Sequence, residues 1–304
     1  MLRRLTVKVA AMPILCRCCL LLCLAVSSAT SLGADVQPAA ATRSDTLAPE
    51  HARSEETAQI RKHHLNRLND RLTQEPAVLK ETCKYESEIA TRPPAKRVVL
   101  SFDDGPDPGQ TPFILETLQK RNIQAAFFMI GSKARQYPQL VEQIRAGGHH
   151  LIGNHSWDHP NFHDISVAEQ AGEVLRNDAL VEKSQPTKFF RYPYGNSTCA
   201  TNALLHSHNY RIVGWHVDSC DWAFDRTGSV DVKEALSCGV LAHNRNDFVE
   251  HVVATVRGHN GGIVLLHEIH PNTLKKLDQI IGRLLDEGYV FGALDDADFM
   301  PSLR

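Results

Sequence analysis

The 304-residue sequence has almost no charge imbalance: 33 Lys and Arg stand against 35 Asp and Glu, a formal net charge of −2 with neutral histidines. Its basic residues are scattered, without the stripe that a nucleic-acid surface needs. Long apolar runs are missing too. The stretch from Cys18 to Val26 is cut off by Arg17 and is shorter than the roughly 20 apolar residues a spanning helix requires. Cysteine is scarce beyond the N-terminal segment, where only Cys83, Cys199, Cys220 and Cys238 remain, at spacings unlike a zinc ribbon. These absences argue against a nucleic-acid binder and against a permanent membrane anchor.

At the N-terminus, Arg3, Arg4 and Lys8 precede the short apolar run and small residues follow it, the order of a signal peptide. Cleavage fits after Ala29 and is possible after Ala34. Residues 1–34 are therefore expected to be removed, leaving a periplasmic or secreted protein with no stable membrane insertion. Cys16, Cys18, Cys19 and Cys23 leave with that segment. The other four permit two disulfides in an oxidising compartment, with three possible pairings; Cys220 with Cys238 would close the loop between them. Residues 35–95 read as a flexible lead-in and then a charged helical appendage, with Ile60, Leu65, Leu68 and Leu72 at helical spacing. Pro93 and Pro94 mark the boundary to a single domain over 96–304.

In that domain short apolar strands alternate with amphipathic helices. Strands are predicted at 98–102, 125–130, 149–152, 188–190, 211–217, 262–266 and 289–291. Gly147 and Gly148 stop one intervening helix, and Ser166 with Glu169 forms a capping box that starts another. The alternation predicts an α/β fold with a parallel sheet, and seven strands favour closure into a distorted (β/α) barrel. Chemistry in such folds gathers at the C-terminal ends of strands.

Those ends carry residues that a core would not choose. The first strand runs into Asp103-Asp104-Gly105-Pro106, the third into Asn154-His155-Ser156-Trp157-Asp158-His159, and the fourth into Arg191-Tyr192-Pro193-Tyr194. The fifth leads to Asp218, Asp221 and Trp222, the sixth to His267 and, three residues on, His270. Each motif alone is also what an acidic turn or a satisfied core histidine would give. Together they supply an aspartate and two histidines for a divalent ion with open positions, plus a spare carboxylate and a spare histidine for base and acid.

The five motifs in this order resemble the polysaccharide deacetylases of the NodB-homology type, carbohydrate esterase family 4, over roughly residues 97–292. The resemblance implies a NodB-like distorted barrel and a metal-dependent N-deacetylase acting on N-acetylglucosamine-type residues of a cell-wall or extracellular polysaccharide. It implies Asp103 as catalytic base, and Asp104, His155 and His159 as ligands of one divalent metal ion. Zinc is expected, with cobalt or nickel also compatible. Arg191 would hold the base, the Tyr194 N–H would meet the oxyanion, and Asp221 would orient the acid His267. Trp222 and Leu265 would line the acetyl pocket.

Two departures stand out. Tyr192 occupies a position where the family usually has proline, which bears on cleft shape. Residues 223–246 form a long polar stretch, read as a loop over the barrel mouth. Two glycosylation sequons, at Asn154 and Asn196, fall inside the proposed site. The polysaccharide is the expected partner and the protein is expected to be a monomer. An O-acetyl esterase acting on acetylated xylan is the enzymatic alternative, and a glycan-binding protein without turnover is the alternative of another class.

Overall fold

In the computed structural model of the chain, placements are described for residues 91–179 and 187–304 and for positions 55, 58, 59, 62, 63, 65, 66, 83 and 89. The expected signal peptide and most of the 35–95 appendage lie outside the described residues, although every described position from 55 to 66 is helical. Among the described residues no helix is long and apolar enough to cross a membrane.

β1 (Arg97–Gly105) organises the sheet because both of its faces are buried and alternate side chains serve different cores. Val98, Leu100 and Phe102 face outward, into the larger apolar cluster shared with Ile114 and Leu118 of the helix Thr111–Arg121, Ile144 of the helix Pro138–Ala146, Val252 of Phe248–His259 and Ile281 of Leu277–Asp286. Val99 belongs to a second cluster, with Ala126, Phe128, Leu151, Phe189, Val213 and Ile263. That cluster fills the inside of the curled sheet, and Leu294, Phe299 and Leu303 from the C-terminal segment join it. Ser101 and Asp103 continue the same inward face, so the interior is apolar at one end and polar at the end where the strands finish.

β2 (Ala125–Met129), β3 (Leu151–Asn154), β4 (Lys188–Phe190), β5 (Tyr210–Ile212), β6 (Val217–Asp218) and β7 (Gly262–His267) complete a path in the order β5-β4-β3-β2-β1-β7-β6. Among the described residues all strand pairings are parallel, and β8 (Val290–Phe291) adds to the first residues of β1. Seven strands thus form the path, as expected, but they are not the seven that the pattern suggested. The predicted strand 211–217 is two strands at opposite edges of the sheet. Its middle is the seam of the barrel: the Val213 N–H still bonds the Phe190 carbonyl at 2.8 Å, while the His216 N–H already bonds that of Ile263 at 3.0 Å. Three residues span at most about 11 Å, so the two edges are forced close together and the sheet is curled into a distorted barrel. Beyond β5 the free edge is covered by the C-terminus, through the Ile212 and Arg304 backbone pair.

The expected loop over 223–246 is also corrected. It holds the helix Val232–Cys238, started by an Asp231–Glu234 capping box, and a short 3-10 turn at Ala242–Asn244. The Asp-x-x-Glu spacing that starts this helix was in the sequence. Disulfides join Cys220 to Cys238, the pairing singled out above, and Cys83 to Cys199.

Candidate metal centre

Four strand ends converge at the polar end of the barrel. Asp103 and Asp104 end β1, and Asp104 takes a left-handed backbone (φ 70°) that sends the two adjacent carboxylates in different directions. The turn after β3 places His155 and His159 on one side, with Ser156 and His159 also left-handed (φ 65° and 58°). Such conformations cost of order 1 kcal/mol or more each and persist only where surrounding bonds hold them. Here Asn177 does the holding: its Nδ2 donates to the carbonyls of Met129 and Ser156, both at 3.0 Å, and to Asn154 Oδ1 at 3.2 Å. Asn177 was not singled out in the sequence, since an asparagine in the turn after the helix Val167–Leu175 gives no signal of its partners.

Asp104 is fully buried, and neither of its carboxylate oxygens has a hydrogen-bond partner. His155 Nε2 stands 3.4 Å and His159 Nε2 3.1 Å from Asp104 Oδ1. The opposite ring nitrogens are engaged: His155 Nδ1 lies 2.8 Å from the Arg191 carbonyl and His159 Nδ1 3.1 Å from the Tyr194 hydroxyl. An Nδ1–H donated outward leaves each Nε2 lone pair facing the carboxylate, the arrangement of metal-ligating histidines. Three converging lone-pair donors with an orphaned buried carboxylate fit a divalent cation, and one carboxylate with two imidazoles is a donor set that zinc accepts.

Asp103 is held differently. Its Oδ1 accepts from Arg191 Nη1 at 2.7 Å, and its Oδ2 points toward the histidines, 3.7 Å from His155 Nε2. Arg191 has no solvent exposure. Its guanidinium also donates to Ser101 Oγ at 2.9 Å and, across the barrel seam, to the carbonyls of Val213 and Gly214 at 3.3 and 3.0 Å. Burial pulls the Arg191 pKa down while the Asp103 charge opposes it. The same side chain therefore fixes Asp103 and ties the seam.

On the other side, His267 ends β7 and its Nδ1 bonds Asp221 Oδ1 at 2.7 Å, while its own backbone N–H donates to Asp221 Oδ2 at 2.7 Å. Burial works against a charged His267, but the Asp221 carboxylate and hydrogen bond, with Asp104 and Asp103 behind them, raise its pKa to about 10. Asp221 is correspondingly lowered against its own burial.

The space enclosed by these groups is about 10 Å³, bounded by Asp103, Asp104, His155, His159, Tyr192, Tyr194, Gly195, Trp215, Leu265 and His267. That is room for about one water. Tyr194 carries a left-handed backbone (φ 58°), and the His63 ring of the N-terminal appendage stacks on it at 4.2 Å. Tyr192 turns its hydroxyl away, to Asn202 Oδ1 at 2.6 Å, and presents its ring to the cavity.

Trp222 is the exception among the expected site residues. It is fully buried in the apolar cluster between sheet and helices, and Trp215 borders the cavity instead. The reason is local: the helix Asp221–Phe224 begins at Asp221, so the residue after the His267 partner rotates into the core. Both sequon asparagines are committed internally, Asn154 Nδ2 to the Val174 carbonyl and the Tyr210 hydroxyl at 3.0 Å each, and Asn196 Nδ2 to Asn161 Oδ1 at 2.8 Å.

Glu268 was also missed. It is fully buried against Gly105, accepts a short hydrogen bond from Thr111 Oγ1, and is pushed up to about 8, chiefly by burial. A Cβ at Gly105 would overlap its carboxyl. Gly105→Ala is therefore expected to destabilise the fold by about 1–3 kcal/mol, the range for overpacking. Thermal unfolding checks this, and an unchanged Tm would contradict the packing described.

Comparison with known proteins agrees with this arrangement. A family model described as polysaccharide deacetylase matches residues 90–213. A peptidoglycan-N-acetylglucosamine deacetylase of Bacillus cereus is 32% identical over an alignment of 207 residues that covers 64% of this chain and 85% of that protein. The peptidoglycan-N-acetylglucosamine deacetylase PgdA of Listeria monocytogenes is 35% identical over 205 residues, but this chain spans only 38% of its length. Among solved structures, a peptidoglycan N-acetylglucosamine deacetylase in complex with 4-naphthalen-1-yl-N-oxidanyl-benzamide is similar with a TM-score of 0.55 at 27% identity, covering 73% of this chain and 95% of that one. A family 4 carbohydrate esterase from Streptomyces lividans, in complex with acetate, has a TM-score of 0.52 at 27% identity, covering 65% of this chain and 91% of the other. With four of its five motifs lining one cavity and Asp221 of the other bonded to His267 there, the chain belongs to the polysaccharide deacetylase family.

Proposed function

We propose that this protein is a metal-dependent N-deacetylase that hydrolyses the acetamide of N-acetylglucosamine-type residues in a bacterial cell-wall glycan, and that it works outside the cytoplasm. The observation that carries the reading is the buried, unpartnered Asp104 carboxylate between two outward-anchored imidazoles, next to a second carboxylate and a histidine bonded to Asp221. Asp104, His155 and His159 would hold the ion, with zinc the preferred identity. When bound, such an ion polarises a carbonyl and makes a water acidic enough to react near neutral pH.

The chain's own groups divide the remaining work. Asp103 accepts the proton of the attacking water at Oδ2, because Oδ1 is tied to Arg191. The Tyr194 backbone N–H meets the developing negative charge on the acetamide oxygen; one such donor is worth about 3 kcal/mol in other hydrolases. His267 gives its proton to the departing amine, and Asp221 keeps it protonated and aimed. Leu265, Tyr192 and Trp215 exclude water around the acetyl methyl. The amide preference follows from His267, since an amine leaves only if it is protonated, whereas an ester alcohol needs less help.

The alkaline limb of the kcat profile is expected to report His267. Its proton is available below about pH 10 and is lost above it. Asp221→Asn removes the largest group raising that value, so the limb shifts toward the ordinary histidine range near 6.5. The same linkage acts on stability. The folded value exceeds the unfolded one, so the pair's contribution is complete below pH ~6.5 and disappears as the pH rises through about 10. A limb that stays in place in Asp221→Asn would remove His267 from the acid role.

The substrate is tested by measuring free amine and acetate released from peptidoglycan, chitooligosaccharide and acetylated xylan. Amine release with equimolar acetate from an N-acetylated glycan is expected. Acetate from xylan alone would make the protein an ester hydrolase, and no release from any of the three would make it a glycan-binding protein.

A further inference from the structure

His270 follows the two-residue turn after β7, at the start of the helix Pro271–Leu274, and is fully buried, yet neither nitrogen of its ring has a hydrogen-bond partner. Its nearest anion is Asp225, with Nδ1 to Oδ2 at 3.8 Å, beyond hydrogen-bond reach; Asp225 Oδ1 is already taken by the Asn272 N–H at 2.7 Å. The His270 ring instead sits edge-on to His267, with centroids 5.6 Å apart and planes at 74°. One donor atom each from Asp221, His267 and His270 lies within 4.8 Å of the others, and all three residues are buried.

A buried imidazole with both nitrogens unsatisfied is uncommon, because interior polar groups are normally paired. One carboxylate and two imidazoles repeat the donor set of the Asp104 centre, and a divalent ion would satisfy the ring that nothing else reaches. The two centres differ in what they displace. At the Asp104 centre the lone pairs already face one another, whereas at the second an ion must replace the proton between His267 Nδ1 and Asp221, which leaves to solvent. The second centre is therefore the weaker one.

We propose that Asp221, His267 and His270 form a second divalent-cation site that fills only after the Asp104 site, and that its occupation switches the enzyme off. The inhibitory consequence rests on His267 being the proton donor, as read above. An ion on His267 Nδ1 displaces the proton shared with Asp221, so the ring is no longer an imidazolium: its Nε2 proton could then leave only by forming an imidazolate, and the bond by which Asp221 aims the ring is broken. Excess metal then inhibits, with His270 as the residue that makes the site and has no part in turnover.

The test is equilibrium dialysis of the full chain against rising zinc, with metal content per chain and deacetylation rate measured at each concentration. Wild type is expected to take up a tight first equivalent and then a weaker second one, and the rate falls over the range in which the second enters. His270→Gln keeps the first equivalent and weakens the second by at least about tenfold, with the inhibition moving in step. Asp104→Asn loses the tight equivalent and keeps the weak one. A second readout on wild type needs no variant: with zinc in the tight site, added cobalt gives visible absorption bands of nitrogen-ligated metal. A single equivalent across the whole range, no cobalt bands, or an undiminished second equivalent in His270→Gln would each overturn the proposal. If Asp104→Asn instead retained the tight equivalent, the first-site reading would fail, while the His270 arm would still decide the second.

Discussion

Asp103→Asn is expected to lower kcat about 1,000-fold, within the range that general bases contribute, while the protein keeps its full equivalent of metal. The substitution removes the proton acceptor and little else. Asparagine has nearly the same shape, its side-chain oxygen can still accept from Arg191 Nη1, and Asp104, His155 and His159 are untouched. Asp104→Ala should fail in another way. It removes the carboxylate whose two oxygens have no other partner, so metal affinity falls and activity returns in part at high metal concentration. Metal content measured beside kcat separates the neighbours. A metal-free Asp103→Asn with a metal-replete Asp104→Ala would exchange their roles.

The second large effect is on the fold. Arg191→Met is expected to destabilise the protein by about 3–5 kcal/mol, because removing one partner of a buried ion pair leaves the other charge uncompensated. Four acceptors lose their donor together: Asp103 Oδ1, Ser101 Oγ and the carbonyls of Val213 and Gly214. Two of these lie in the segment that crosses the barrel seam, so the loss acts on closure as well as on the base. Arg191→Lys restores the charge but not the planar fork that reaches both sides, and should recover only a minority of the stability. Denaturant unfolding measures both variants, and a wild-type midpoint in Arg191→Met would contradict the role assigned to the seam.

Much of this was legible in the sequence, for reasons that differ by residue. β1 could be read because the apolar run from Val98 to Phe102 ends abruptly in two aspartates. The Ser166–Glu169 capping box could be read because it is local, and in the structure the Glu169 N–H bonds Ser166 Oγ at 3.3 Å while the Glu169 carboxylate accepts from the Ser166 N–H at 2.8 Å. The residues around the candidate metal centre stand at strand ends, where polar groups after apolar runs are conspicuous. What the sequence hid depends on distant pairings. Val213 to His216 looks like the middle of one strand, and only the partners Phe190 and Ile263 reveal that the chain changes edges there. Trp222 follows Asp221 directly, and nothing short of the helix beginning at Asp221 says that its ring turns into the core while Trp215 faces the cavity. Glu268 and Asn177 are ordinary residues in sequence, and His270 stood out only as a histidine near a strand end; the meaning of all three lies in burial and in the groups around them.

The most direct test of the central claim is removal and return of the metal. Exhaustive chelation of the wild-type chain is expected to abolish amine release from an N-acetylglucosamine oligomer, and one equivalent of zinc should restore it. His155→Ala treated identically should neither bind that equivalent nor recover. A chelated, metal-free wild type that releases amine at the untreated rate would contradict the account.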